Sequence, residues 1–176
     1  ITVDPKRSSG PLELLEVIKY GESKNIGIIV YVNRRSLEKQ LDEILPLFNE
    51  WGIKGVKYGF VQVGNQKSTT WLHEAIKKAA ENKLMVDIHD EYRPTGFSRT
   101  YPNLMTQEGI RGDEESPSNE HTLITLFTRM LAGAGDNTNC YYTQRVNEKM
   151  GGNVSQLAKA VMIYSPWQFL YWYDRP

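Results

Sequence analysis

The chain has 176 residues, 40% of them hydrophobic, with Lys plus Arg and Asp plus Glu both at 21 and a formal net charge of zero. That length holds one ordinary domain with a sizeable core, and the balanced charge gives no electrostatic reason to expect nucleic acid or an acidic membrane surface as partner. A single cysteine, Cys140, excludes an internal disulfide and a Cys-rich zinc site.

Residues 1–10 read as loop, punctuated by Pro5 and Ser8-Ser9-Gly10. Pro11 suits a first helical turn, Leu14, Leu15 and Ile18 give an apolar stripe, and Gly21 and Asn25 close that helix. The β-branched run Ile26–Val32 predicts a strand covered on both faces. A second helix is expected with Ser36 as its N-cap and Leu37, Leu41, Ile44, Leu45 and Phe48 on one face, ending at Gly52. Gly55–Val61 reads as the next strand, and Leu72, Ala75, Ile76, Ala79 and Ala80 as the stripe of a third helix. Leu84–Ile88 is a further strand. Residues 119–132 predict a helix with Leu123, Leu126, Phe127 and Met130 inward, and residues 133–152 read as irregular. A last helix, capped by Asn153 or Ser155, runs through Leu157, Val161 and Phe169 and is bent or broken at Pro166.

Three strands at a spacing of about thirty residues, with an amphipathic helix between each pair, are the βαβ period of a parallel sheet. No G-x-G-x-x-G follows a strand and no phosphate-loop lysine motif occurs, which favours a barrel over a dinucleotide-binding sheet. A closed (β/α)8 barrel takes about 250 residues, so the expected fold is α/β, with most of one TIM-type barrel spread over residues 1–176 as a fragment of a larger multidomain protein. The sequence begins Ile1-Thr2-Val3-Asp4-Pro5, without a leader pattern or initiator Met, and reads as a segment of something longer. The most membrane-like run, Val161–Tyr173, is short and interrupted by Pro166, so no membrane insertion is expected.

In a parallel sheet the C-terminal strand ends share one mouth. Lys57, Tyr58 and Gly59 end one strand, His89 and Asp90 end the next, and neighbouring strands lie about 4.8 Å apart. Asp90, Glu108, Glu114 and Glu115 supply carboxylates suited to a hard cation such as calcium or to general acid catalysis. Crowded like charges raise at least one carboxyl pKa unless a cation neutralises the others. The plainer reading of Glu114 and Glu115 is a solvated loop. His89 lacks an H-x-H or H-E-x-x-H partner, which speaks against zinc, and no G-x-S-x-G elbow presents a serine.

The run His89-Asp90-Glu91, Arg93-Pro94-Thr95-Gly96, Arg99-Thr100-Tyr101-Pro102-Asn103-Leu104, Glu108-Gly109, Arg111-Gly112 and Glu114 resembles glycoside hydrolase family 97. The likeness extends back through Trp51–Lys57, Leu37–Glu43 and Ile26–Ile29. It implies a calcium-dependent, exo-acting α-glycosidase, periplasmic or secreted, acting on an α-galactoside oligosaccharide. It also implies a β-super-sandwich before the barrel and a β-domain after it, both outside this sequence and both partners of it. By the same resemblance Glu114 matches the catalytic acid, and Asp90, Glu108 and Glu114 the calcium site. Lys57 and His89 match sugar contacts, and Arg99 lies within the matching motif as a further candidate substrate contact.

Gly59 departs from the retaining branch, which carries an Asp nucleophile in a Val-Lys-x-Asp-Phe pattern where this chain reads Val56-Lys57-Tyr58-Gly59-Phe60. Inverting members also have Gly here but activate water with two Glu, one after the His of a His-Glu pair and one after the earlier strand. Here those places hold Asp90, which a natural inverter would use as its base, and Tyr31-Val32-Asn33-Arg34, which offers no carboxylate. The expectation is a retaining α-galactosidase site that has lost its nucleophile, with hydrolysis impaired, binding kept, and space at Gly59 for a small external nucleophile such as azide. Two alternatives stay open: an inverting α-glucosidase of the same family, and a non-catalytic carbohydrate-binding barrel.

Overall fold

The computed structural model describes residues 12–172 and 174. The loop expected over residues 1–10 and the helical start at Pro11 lie outside the described residues. Four strands, β1 (Ile29–Asn33), β2 (Gly55–Gly59), β3 (Met85–Ile88) and β4 (Leu104–Gln107), form one parallel sheet in the order β1-β2-β3-β4. The helices α1 (Leu14–Ser23), α2 (Arg34–Glu50) and α3 (Gln66–Glu81) precede or connect the first three strands. After β4 come α4 (Asn119–Phe127), α5 (Gln144–Lys149) and α6 (Gly152–Met162). The sheet is an open arc, α/β as expected. Beyond β4, the Asp136 N–H donates to the Gln107 carbonyl at 2.9 Å, so the segment around Asp136 runs alongside the strand's end.

Strand alternation divides the sheet into an apolar and a polar face. Val56, Tyr58, Val86 and Ile88 turn outward and pack, fully buried, with Leu37, Leu45 and Phe48 of α2 and Leu72, Ala75 and Ile76 of α3. The predicted stripes of α2 and α3 are these residues, with Ala80 only half-buried. Tyr31, Asn33, Lys57, Gly59 and Asp87 share the inner face. Register places Tyr31 against Lys57, Asn33 against Gly59, and Lys57 against Asp87.

Several expectations change. β1 is an edge strand, partly exposed along its length rather than covered on both faces. Asn33 replaces Ser36 as the cap of α2, its side chain accepting from the Arg35 N–H at 3.0 Å. Gly21 lies inside α1, because its missing Cβ lets Ile28 and the Ile26 carbonyl close on the helix. The central loop contains β4, where Leu104 and Thr106 alternate with half-buried Met105. α4 does not turn Leu123 and Phe127 inward: Thr122 and Thr125 are buried, while Leu123, Ile124 and Phe127 are exposed. Likewise α6 starts at Gly152 after Gly151, buries Gln156 and Lys159, and exposes Leu157 and Val161.

Candidate active site

The inner face is held by a buried charge cluster. Lys57 Nζ lies 2.8 Å from Asp136 Oδ2 and 3.4 Å from Asp87 Oδ2, with all three side chains almost fully buried. Its ammonium also sits 3.8 Å from the Phe169 ring centre and 4.4 Å from that of Trp172. His89 Nε2 donates to the same Asp136 oxygen at 2.5 Å. Burial pushes the Asp136 carboxyl up, but the His89 hydrogen bond and the Lys57 charge outweigh it and hold the group down at about 2. Asp87 moves the other way: burial and the Asp136 charge raise it well above the carboxylate range, against a smaller pull from Lys57. The two carboxyls flanking the lysine are thus pushed in opposite directions. Lys57 faces this cluster and is not among the residues lining the open cleft, whereas His89 lines it with its ring bonded to Asp136.

The open cleft lies above, at the C-terminal ends of the strands, where α/β folds place ligands. It encloses about 1000 Å³ and is lined by Tyr31, His89, Asp90, Glu108 and Glu114 with Arg93 and Trp172, among others. His89, Glu108 and Glu114 each aim one ligand atom into a common space, all within 4.8 Å of one another. Glu114 stands in a 3-10 turn, Asp113–Glu115, and accepts from the Thr138 hydroxyl. Glu115 is exposed and paired with Arg111 at 2.8 Å, so the solvated reading holds for it and not for Glu114.

Glu108 accepts from the Asp90 N–H at 2.5 Å, and its other neighbour is His89 Nδ1 at 3.4 Å. Burial first, then the Glu114 charge, push its carboxyl up to about 8. Asp90 lines the same cleft in a left-handed conformation, φ +65°, which a short polar side chain tolerates. Its carboxylate accepts from the Val61 N–H at 3.2 Å, and it stands apart from the three converging ligand atoms. Arg99 is exposed in the short turn Phe97–Arg99 and is not among the residues lining the cleft.

The space at Gly59 is filled. A Cβ built there would fall on the Tyr31 phenol, nearer to its oxygen than any non-bonded contact allows. The reason is strand geometry: Tyr31 lies two residues before Asn33, the register partner of Gly59, and so projects on the same face and leans across it. The vacancy expected for a small external nucleophile is absent. Burial, with Asp90 and Glu108 adding to it, raises the Tyr31 phenol to about 12.

Two contributors escaped the sequence reading. Asp136 follows the glycines of Gly133-Ala134-Gly135, where no periodicity marks it. Arg129 donates to the carbonyls of Glu108 at 2.8 Å, Gly109 at 3.1 Å, Gly133 at 2.9 Å and Ala134 at 2.9 Å, tying the Glu108 loop to the Asp136 segment.

The profile of glycoside hydrolase family 97 matches residues 2–110. The chain belongs to glycoside hydrolase family 97. It is 30% identical to the retaining alpha-galactosidase of Bacteroides thetaiotaomicron over 90% of this chain and 27% of that one. A Streptomyces bingchenggensis protein named a probable retaining alpha-galactosidase is also 30% identical, over 85% of this chain and 24% of its own length. Among solved structures, a family 97 enzyme from Pseudoalteromonas sp. strain K8 superposes with a TM-score of 0.76 at 26% identity, covering 93% of this chain and 30% of that enzyme. Family 97 enzyme structures from that strain have also been solved with acarbose and, as a Glu-to-Gln variant, with panose. The chain thus spans about 27% of the first of these relatives and is a fragment of the larger catalytic barrel domain.

Proposed function

We propose that this chain forms the terminal-sugar subsite of an exo-acting glycosidase for α-linked galactose, with Glu114 as proton donor and hydrolysis impaired by the missing carboxylate at Gly59. The observation that carries this reading is the convergence of His89, Glu108 and Glu114 within 4.8 Å at the mouth of parallel strands. Galactose is preferred to glucose because the two relatives described above are named for it. The lack of a carboxylate in Tyr31–Arg34 supports a retaining ancestry over an inverting one.

The residues present fit calcium. Glu108 and Glu114 crowd two carboxylates together, and burial first, then the Glu114 charge, raise the Glu108 carboxyl. Glu108 and Glu114 would hold the ion, with Asp90 beside them, and the ion would supply the positive charge that lets Glu108 ionise while Glu114 keeps the proton it donates. Around it, His89 accepts from a sugar hydroxyl through Nδ1 in an orientation set by its Nε2–H bond to Asp136, and Glu114 gives its proton to the leaving glycosidic oxygen. The exposed Leu123, Ile124 and Phe127 of α4 and Leu157 and Val161 of α6 suit cover by the remaining barrel and the flanking β-domains. Export to the periplasm or medium belongs to the same proposal.

The test is calorimetry of the full-length protein with methyl α-galactoside and methyl α-glucoside, with calcium and after chelation. Galactoside binding that chelation removes, with turnover of an aryl α-galactoside at least a thousandfold below the common enzyme rate of about 10 s⁻¹, is expected. Binding of neither sugar overturns the subsite. Ordinary turnover overturns the impairment.

A further inference from the structure

We infer that Tyr31 has taken the seat of the missing nucleophile, so that Gly59 and Tyr31 form a matched pair that converts this part of the site from attack on the sugar to packing against it. The inference rests on the α-galactoside reading above and deepens it. Position 59 ends β2 on the inner face, and the phenol oxygen of Tyr31 lies where the first atoms of any side chain at 59 would go. Tyr31 comes from the neighbouring strand, in register with Lys57, and its ring also lines the cleft beside Asp90 and Glu108. Glycine at 59 is therefore required by the tyrosine: its φ is not in the left-handed region, and the only demand on it is space.

The pairing makes a prediction that a simple deletion of the nucleophile does not. A deletion leaves a hole, which one substitution or one small anion can refill. A filled seat must first be emptied. Gly59→Asp alone places its carboxylate inside the Tyr31 ring, so either the ring is driven out of its place or the new side chain is turned away from the sugar. Only with a smaller residue at 31 can both the backbone and the carboxylate adopt the productive geometry.

The experiment compares four full-length proteins with calcium: wild type, Tyr31→Val, Gly59→Asp and the double variant. Valine is chosen because a β-branched residue suits an edge strand. Each is assayed on an aryl α-galactoside with and without azide, and each is titrated with methyl α-galactoside. The double variant is expected to hydrolyse the aryl galactoside at least a thousandfold faster than wild type, and Gly59→Asp alone less than tenfold faster. Azide is expected to release β-galactosyl azide with Tyr31→Val and none with wild type. In that step the azide nitrogen forms a bond to the anomeric carbon from the face opposite the leaving group. The anomeric C–O bond breaks, and its electron pair leaves on the aryl oxygen, which takes the Glu114 proton.

Full recovery with Gly59→Asp alone, or azide turnover in wild type equal to that of Tyr31→Val, overturns the inference while leaving the subsite intact. A galactosyl adduct on Tyr31 in wild type overturns it as well, since the phenol would then be attacking. If Gly59→Asp does not fold, the azide comparison between wild type and Tyr31→Val decides alone. Failure of every protein to bind methyl α-galactoside removes the subsite and this inference with it.

Discussion

Lys159 Nζ lies 2.8 Å from Asp113 Oδ1, and both side chains are shut off from solvent. Asp113 also accepts from the Cys140 N–H at 2.9 Å, from Asn137 Nδ2 at 3.1 Å and from Gln156 Nε2. Asp113 begins the turn that carries Glu114, so α6 reaches the candidate acid through a buried ion pair. Lys159→Met strands the carboxylate, and breaking one side of a buried pair costs about 3–5 kcal/mol. Adding Asp113→Asn should recover part of that loss, because the amide oxygen still accepts while the unpaired charge is gone. Urea unfolding of the two variants checks this; an unchanged midpoint for Lys159→Met refutes it.

Asp136 offers a second test. It is the common acceptor of Lys57 and His89, so Asp136→Asn removes the charge that fixes the imidazole and leaves Asp87 as the remaining carboxyl partner of Lys57. Sugar affinity should fall at least tenfold, comparable to the loss when a residue orienting a ligating histidine is removed. Calorimetry with methyl α-galactoside reads this directly. His89→Gln should fall by a similar factor, and the double variant should be no worse than the poorer single one, because both act on the same contact.

How far the sequence could be read follows from where the information lies. The stripes of α2 and α3 were legible because both helices pack one face on the sheet, and Leu37, Leu45, Phe48, Leu72 and Ile76 are buried as their spacing implies. α4 and α6 misled because their buried positions are polar: Thr122, Thr125, Gln156 and Lys159 serve the charge network, and the apolar residues lie outward. The carboxylates at the mouth were visible as a cluster after a strand. Tyr31 filling the space at Gly59 was not, since it depends on register between β1 and β2 rather than on any local pattern. Asp136 follows a glycine-containing irregular segment that carries no period, and its place is set by its N–H bond to the Gln107 carbonyl.

Glu108 makes the site sensitive to pH. Its carboxyl titrates at about 8 in the folded protein against 4.5 in the ordinary state, so the folded chain holds the proton more tightly. The contribution of Glu108 to the metal-free protein is therefore complete below about 4.5 and is lost as pH rises through 8. Each ~1 kcal/mol lost lowers Tm by about 2–4 °C for a domain of this size. Glu108→Gln should flatten the slope in chelator. Calcium needs the ionised form, so its affinity should climb from pH 6 to 8 and level off above. A metal-free Tm that rises over the same interval excludes this titration.

Gly109, next to Glu108, is held between backbone groups on both sides. It has φ +52°, its N–H donates to the Asp90 carbonyl at 2.9 Å, and its carbonyl accepts from Arg129. A Cβ there would strike the Tyr92 carbonyl and lie 2.9 Å from Arg93 Cγ, so Gly109→Ala must move backbone rather than a flexible side chain. Strain of this kind costs about 1–3 kcal/mol. Gly96→Ala is the control: its φ is +81° but nothing lies within 4 Å of the added carbon, so only the left-handed penalty of about 1–2 kcal/mol applies. Both variants should therefore be destabilised, yet Gly109→Ala alone should lose calcium affinity, by tenfold or more, because its displacement separates Glu108 from Glu114. Equal calcium affinity in the two variants, measured by calorimetry at pH 8, would falsify the coupling between this turn and the carboxylate pair.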